Sequence, residues 1–133
     1  MVRPTILIAD DDPVFLTSVV SVLRTRYEVQ TAASGTQALA LINDDLPDLV
    51  ILDVMMDHMS EGFDVARSLR SEERTSLVPI IILTGVDRFY NLRMEVDESW
   101  VPADQCFEKP IAPEDLLREV AVLIGPGEEC PDP

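Results

Sequence analysis

This chain has few of the features that mark secreted or membrane proteins. Its two cysteines, Cys106 and Cys130, are too few for a disulfide framework and fit two reduced thiols. No uncharged apolar stretch approaches the roughly 18 residues that a membrane helix needs. Residues 1–4 lead directly into an apolar strand pattern, without the form of a signal peptide. These absences predict a cytoplasmic protein without a membrane segment.

Positive charge is also scarce. The chain has 10 Lys and Arg residues against 25 Asp and Glu, which gives a formal net charge of −15. Nucleic acid backbones and anionic membrane surfaces are held by Lys and Arg, so neither is predicted as a direct partner. Excess acidic charge favours partners with basic or apolar docking faces.

The length and composition fit a single globular domain. At 133 residues, with 47% hydrophobic and 26% charged residues, the chain can bury a core without cross-links. We predict one folded domain over residues 1–124. Residues 125–133 contain Gly125-Pro126-Gly127 and are predicted to be a flexible tail or linker stub.

Hydrophobic patterning predicts alternating strands and helices. Five apolar segments read as strands, and the helices between them carry apolar residues at helical spacing. The predicted strands are Thr5–Ala9, Tyr27–Ala32, Leu49–Leu52, Val78–Leu83 and Gln105–Glu108. The predicted helices are Pro13–Arg26, a helix capped by Ser34, one opened by Gly62, one near Phe89–Ser99, and Pro113–Leu123. Such alternation predicts a parallel sheet with helices on both faces.

Polar residues follow four of these apolar runs. The first run ends on Asp10-Asp11-Asp12, the third on Asp53, the fourth on Thr84 and the fifth on Lys109. Ligands of open parallel sheets bind off the carboxyl ends of the strands, so these groups are predicted to share one edge. Each has a simpler interpretation as a helix cap, a turn, a β-branched strand end or a surface lysine. We assign the capping role to Asp12 alone.

In order along the chain, these segments resemble the receiver domain of two-component response regulators of the chemotaxis-regulator type. The matching pieces are Ile8–Pro13, Leu52–Met56, Leu83–Gly85 and Glu108–Pro110. The resemblance covers nearly the whole chain. It implies a flavodoxin-like α/β fold, with a five-stranded parallel sheet in the order 2-1-3-4-5 and helices on both faces.

The resemblance also implies a phosphoacceptor and a metal site. Asp53 would accept the phosphoryl group as a carboxylate nucleophile. Mg²⁺ would be held by Asp10, Asp11, Asp53 and the backbone carbonyl of Met55, because this cation prefers oxygen ligands. The residues themselves support a cation, since clustered carboxylates repel one another unless one is present or a proton is taken up.

Thr84 and Lys109 would contact the phosphoryl oxygens through a hydroxyl and an ammonium group. The implied donor is a phosphohistidine on a sensor histidine kinase or a phosphotransfer protein. The new charge would draw Thr84 and Lys109 inward and change the face that binds a downstream protein target, whose identity the sequence does not give. A phosphorylation-dependent homodimer is left open. The chain would not be an enzyme beyond its own phosphorylation and dephosphorylation.

Two positions depart from the family pattern. Cys106 stands where receivers usually carry the aromatic residue of the switch, and Asp57 stands where many have proline. Both leave open an interaction module of the same fold that works without phosphorylation. A phosphatase or phosphotransferase acting on metabolites is a third class, but no pocket-lining loop or second carboxylate motif supports it.

Overall fold

The computed structural model describes residues 4–10, 12–53, 61–84, 105–108 and 111–125. Its strands are β1 (Thr5–Ala9), β2 (Glu28–Ala32), β3 (Leu49–Asp53), β4 (Ile80–Thr84) and β5 (Gln105–Glu108). Its helices are α1 (Pro13–Leu23), α2 (Gly35–Asp44), α3 (Glu61–Ser71) and α4 (Pro113–Ile124). The helix predicted near Phe89–Ser99 lies outside the described residues.

All strand pairs of the sheet are parallel. The strands lie in the order β2-β1-β3-β4, with β5 beside β4. The register places Ile8 opposite both Thr31 and Ile51, and Ile51 opposite Ile81. The parallel α/β sheet and the order of its first four strands are therefore confirmed. Gln105–Glu108 runs alongside β4 from Ile81 to Thr84.

Helices pack on both faces of the sheet because β1, β3 and β4 bury side chains in both directions. One face forms the α2–α3 cluster and the other the α1–α4 cluster. The α2–α3 cluster contains Leu7, Ala9, Ala32, Ala38, Ile42, Val50, Leu52, Val65, Ala66, Leu69, Ile80 and Ile82. The α1–α4 cluster contains Ile6, Ile8, Val19, Val20, Leu23, Tyr27, Val29, Leu49, Ile51, Ile81, Leu83, Leu116 and Val120.

Side-chain caps begin the first two helices where the sequence predicted them. The Asp12 carboxylate accepts the backbone N–H groups of Val14 and Phe15 at 3.0 and 3.4 Å, and Pro13 is the first helical residue. The Ser34 hydroxyl accepts the N–H of Gln37 at 3.2 Å. Each cap satisfies N–H groups that have no partner inside the helix. The caps fix where the chain turns back after β1 and β2.

Helix α1 ends three residues earlier than its apolar pattern predicts. The N–H of Thr25 donates to Val22 O and that of Arg26 to Leu23 O, which tightens the last turn and redirects the chain. Tyr27 then lies fully buried before β2. Among the residues that the structure describes, no helix has the length and apolar content to cross a bilayer.

The connection from α3 to β4 contains more order than its polar sequence suggests. The Arg70 guanidinium donates to the carbonyl oxygens of Ser76 and Val78 at 3.0 and 2.7 Å. The buried Thr75 hydroxyl donates to Leu69 O at 2.5 Å. The Arg70 bonds satisfy two carbonyl groups of the connection, and the Thr75 bond joins the connection to Leu69 of α3. The amino end of β4 is thereby fixed next to β3, where Val50 N donates to Pro79 O.

Candidate functional site

The carboxyl ends of β1 and β3 lie side by side in the middle of the sheet. Ala9 is opposite Leu52. Asp10, which follows β1, and Asp53, which ends β3, therefore lie at the same level of the sheet. Neighbouring strands are about 4.8 Å apart, and side chains alternate between the two faces. By that alternation both carboxylates belong to the face of the α1–α4 cluster, to which Ile8 and Ile51 also contribute.

Asp10 is held in place by its backbone and by its side chain. Its N–H donates to Ala32 O at 3.0 Å, which extends the pairing of β1 with β2 by one residue. Its Oδ1 accepts the N–H of Asp12 at 2.9 Å, and the residue is completely buried. The bond to Asp12 connects this carboxylate to the residue that caps α1. The start of α1 and the position of Asp10 are therefore set together.

Asp53 is the last residue of the central strand. It lies opposite Leu83 of β4 and is 5% exposed, which leaves it a small opening to solvent. Aspartate is rarely buried unless it is paired or binds a cation. Its near-complete burial at a strand end marks Asp53 as a candidate functional carboxylate.

Two buried carboxylates at the ends of neighbouring strands favour binding of a cation. Two unit charges 4 Å apart repel by about 4 kcal/mol at an effective dielectric constant of 20. The donors are carboxylate oxygens, which are the ligands that Mg²⁺ prefers. The described residues alone contain no group of three acidic, histidine or cysteine side chains that could hold a metal. Asp11, the third carboxylate that the sequence predicted as a ligand, lies outside them.

The other predicted site residues are placed only in part. Thr84 ends β4 with its Cα opposite Glu108, and Lys109 follows Glu108 in the sequence. Lys109 and Met55 lie outside the described residues, as does the side chain of Thr84. The backbone register nevertheless brings the ends of β4 and β5 to the same edge as Asp53.

Cys106, at the position where receivers usually carry the aromatic switch residue, and its neighbour Phe107 both belong to β5. Cys106 is opposite Ile82, and its side chain lies outside the described part. Phe107 is partly buried against the α1–α4 cluster. The only described aromatic side chain of β5 thus contributes to the core on that face.

Sequence reasoning did not single out the polar groups at the opposite edge of the sheet. Thr75 reads as part of a polar loop over residues 71–76, and Tyr27 as the first residue of a strand. Arg70 was not singled out at all. Their hydrogen bonds connect residues by tertiary packing, as in the bond from Tyr27 to Gly125. No local pattern in the sequence marks such partners.

Comparisons with known proteins agree with this geometry. The family model of the response regulator receiver domain matches residues 6–121. The transcriptional regulator RpaA of Synechocystis is 33% identical over 96% of this chain and 52% of its own length. Protein PilH of Pseudomonas aeruginosa is 33% identical over 90% of this chain and 98% of its own length.

A solved structure shows the same fold. A putative response regulator from Chloroflexus aurantiacus superposes with a TM-score of 0.80 at 31% identity, covering 91% of this chain and 97% of the other. The chain spans about half the length of the first curated relatives it matches. The match, the relatives and the sheet topology agree, and this chain belongs to the response regulator receiver domain family.

Proposed function

We propose that this chain accepts a phosphoryl group on Asp53 in two-component signalling. The observation that carries the proposal is the nearly buried Asp53 at the end of the central strand, beside the fully buried Asp10. Strands β4 and β5 end at the same edge, where Thr84 and Lys109 occur in the sequence. The family supports acceptance of a phosphoryl group in general.

The reaction is an in-line phosphoryl transfer. An Asp53 carboxylate oxygen forms a bond to phosphorus as the bond from phosphorus to the donor's imidazole nitrogen breaks. The imidazole leaves and takes up a proton, and Asp53 becomes an acyl phosphate. Hydrolysis returns the carboxylate and releases inorganic phosphate. The chain acts only on itself in this scheme and is not an enzyme toward other substrates.

The donor set fits Mg²⁺. Asp10, Asp11, Asp53 and the backbone carbonyl of Met55 would hold the ion with oxygen atoms. When bound, the ion neutralises negative charge shared by the carboxylates and the phosphoryl oxygens. Asp10 is held at the start of α1 by the bond that its Oδ1 accepts from Asp12 N.

Two further residues complete the proposed site. Thr84 donates its hydroxyl to one phosphoryl oxygen, and Lys109 places its ammonium group on another. The proposal includes β5 as the fifth strand of the sheet, because its end next to Thr84 determines where Lys109 begins. Both groups would move toward the new charge and alter the face of β5 and α4 that a partner recognises.

The proposed partners are a histidine kinase or phosphotransfer protein as donor and a downstream protein as target. RpaA is named as a DNA-binding regulator, and it is about twice as long as the region matched here. We propose that the present segment contacts proteins rather than DNA, because its net charge is −15. A cytoplasmic location and a phosphorylation-dependent homodimer belong to the same proposal.

The test is the mass of the intact protein after treatment with acetyl phosphate and Mg²⁺. Wild type should gain the mass of one phosphoryl group, and Asp53→Asn should show no such gain, because it lacks the accepting carboxylate. Asp44→Asn, which removes an exposed carboxylate at the end of α2, should behave like wild type. An unmodified wild-type protein would support the alternative, an interaction module that works without phosphorylation.

A further inference from the structure

A buried tyrosine connects the turn between α1 and β2 to the end of α4. The Tyr27 hydroxyl donates to the carbonyl oxygen of Gly125 at 2.5 Å, across 98 positions of sequence. Tyr27 is fully buried in the α1–α4 cluster, so its ring is fixed by packing. A buried hydroxyl needs a partner, and here the partner is the residue that ends α4.

Gly125 is fixed on both sides of its α-carbon. Its N–H donates to Ala121 O at 2.9 Å and closes the last turn of α4. Its carbonyl accepts the bond from Tyr27. Its φ of 89° and ψ of 166° lie in a region that only glycine populates readily. The chain leaves the helix here in a single direction.

Pro126, the next residue in the sequence, also favours an end of α4 at this point. Pro126 has no N–H with which to extend α4, and it favours an extended conformation at the residue before it. The family match covers residues 6–121, so Tyr27 lies inside the matched part and Gly125 lies beyond it.

We propose that Tyr27 and Gly125 form a latch that holds the end of α4 on the turn between α1 and β2 and fixes where the chain leaves the domain. Whatever follows Gly125 inherits its starting direction from this bond. Loss of the hydroxyl would leave the core packing of the ring in place and free the last turn of α4. The latch does not depend on phosphorylation.

The experiment is amide hydrogen exchange by NMR on the whole chain, comparing wild type with Tyr27→Phe. Exchange at Ile124 and Gly125 should become roughly five- to tenfold faster, as expected for loss of one hydrogen bond in a local opening. The heteronuclear NOE of Gly127 and Glu128 should fall at the same time. Unchanged exchange at Gly125, within twofold, overturns the latch.

A matched control separates the latch from general loss of stability. Thr75→Val removes another buried hydroxyl at the same edge of the sheet without touching Gly125. It should speed exchange of the β3 amides and leave Gly125 unchanged. Equal acceleration at Gly125 in both variants would show a general effect and overturn the proposal.

A second variant breaks the same contact from the other side. Gly125→Ala meets no atom within 4 Å at the new Cβ, so its effect comes from the strained φ rather than from a clash. It should reproduce the faster exchange at Ile124. Combined with Tyr27→Phe, the two changes should give less than the product of their separate effects, because both break one contact. Full multiplicativity would overturn the proposal.

Discussion

Polar residues have different roles at the carboxyl edge of the sheet, where the parallel strands end, and at the amino edge, where they begin. At the carboxyl edge, Asp10 and Asp53 are buried next to each other and share one sign of charge. At the amino edge, the Asp48 carboxylate is exposed and accepts the N–H of Thr5 at 2.7 Å. Arg70 there bonds two carbonyl oxygens. The carboxyl edge places two carboxylates on neighbouring strands. At the amino edge, a carboxylate and a guanidinium group bond to backbone groups.

The difference separates reactivity from stability. In the proposed function, grouping carboxylates at the carboxyl edge would lower the stability of the metal-free protein and favour binding of a cation, which in turn would attract a phosphoryl group. The polar groups described at the amino edge are not proposed to bind a ligand. Asp48 and Arg70 there form hydrogen bonds that stabilise the fold. Removal of a side chain should therefore have effects of opposite sign at the two edges.

The largest expected effect is at the carboxyl edge. Mg²⁺ at a hundredfold excess over its Kd should raise the free energy of unfolding by about 2.7 kcal/mol. Asp10→Asn should stabilise the metal-free protein by roughly 1–3 kcal/mol, because it removes one of two repelling charges while the amide oxygen can still accept from Asp12 N. Thermal melts with and without MgCl₂ measure both.

The control for that prediction is the aspartate of the other edge. Asp48→Ala should destabilise the protein by about 1 kcal/mol, because Thr5 N loses its acceptor, and it should leave the Mg²⁺ response intact. A metal-free melt in which Asp10→Asn is the less stable variant would contradict the assignment of repulsion to the carboxyl edge.

Next in size is Arg70→Met. This change keeps the aliphatic part of the side chain and leaves Ser76 O and Val78 O without their donor. Bonds to a charged donor contribute about 1.5–3 kcal/mol, and solvent access to the half-buried Arg70 reduces this to roughly 2 kcal/mol in total. Urea unfolding should show the loss. Arg74→Met, with one bond of 3.2 Å to Asn43 O, should cost about 0.5 kcal/mol, and an equal loss would refute the ranking.

A smaller effect is expected for Thr75→Val. The replacement has nearly the same shape and removes the bond from the buried hydroxyl to Leu69 O. The free energy of unfolding should fall by about 1 kcal/mol, since the carbonyl loses a buried donor. Chemical denaturation measures it. Ser71→Ala, which removes an exposed hydroxyl bonded to Ser68 O, provides the comparison and should change stability by less than about 0.5 kcal/mol.

The smallest effect appears only in alkali. Desolvation by burial raises the pKa of Tyr27, and nearby Arg26 offsets part of this rise. As the pH rises, Tyr27 ionises in the unfolded chain before it does in the folded protein. Its contribution to stability is therefore fully present below the ordinary pKa of 10.0 and is lost as the pH rises through the raised pKa of the folded protein. Between pH 8 and 11, the free energy of unfolding should decline less steeply for Tyr27→Phe than for wild type. Parallel declines would contradict this.

The local pattern predicted much of the fold. Unbroken apolar runs predicted β1, β3 and β4, because a strand that is buried on both faces carries apolar side chains in both directions. Asp12 and Ser34 were predicted as caps because a helix start needs an acceptor for its free N–H groups. The end of α1 was placed at Arg26 instead of Leu23, since the tightening of its last turn has no signature in the apolar pattern.

The candidate site was predicted from order along the chain, and its geometry depended on packing. The sequence by itself determined that Asp10 and Asp53 end apolar strands, because side-chain type and periodicity are local properties. Only the tertiary structure decided that these two carboxylates lie buried on neighbouring strands. It alone also paired Tyr27 with Gly125, because contacts between distant positions follow from how the elements pack and leave no mark on either segment.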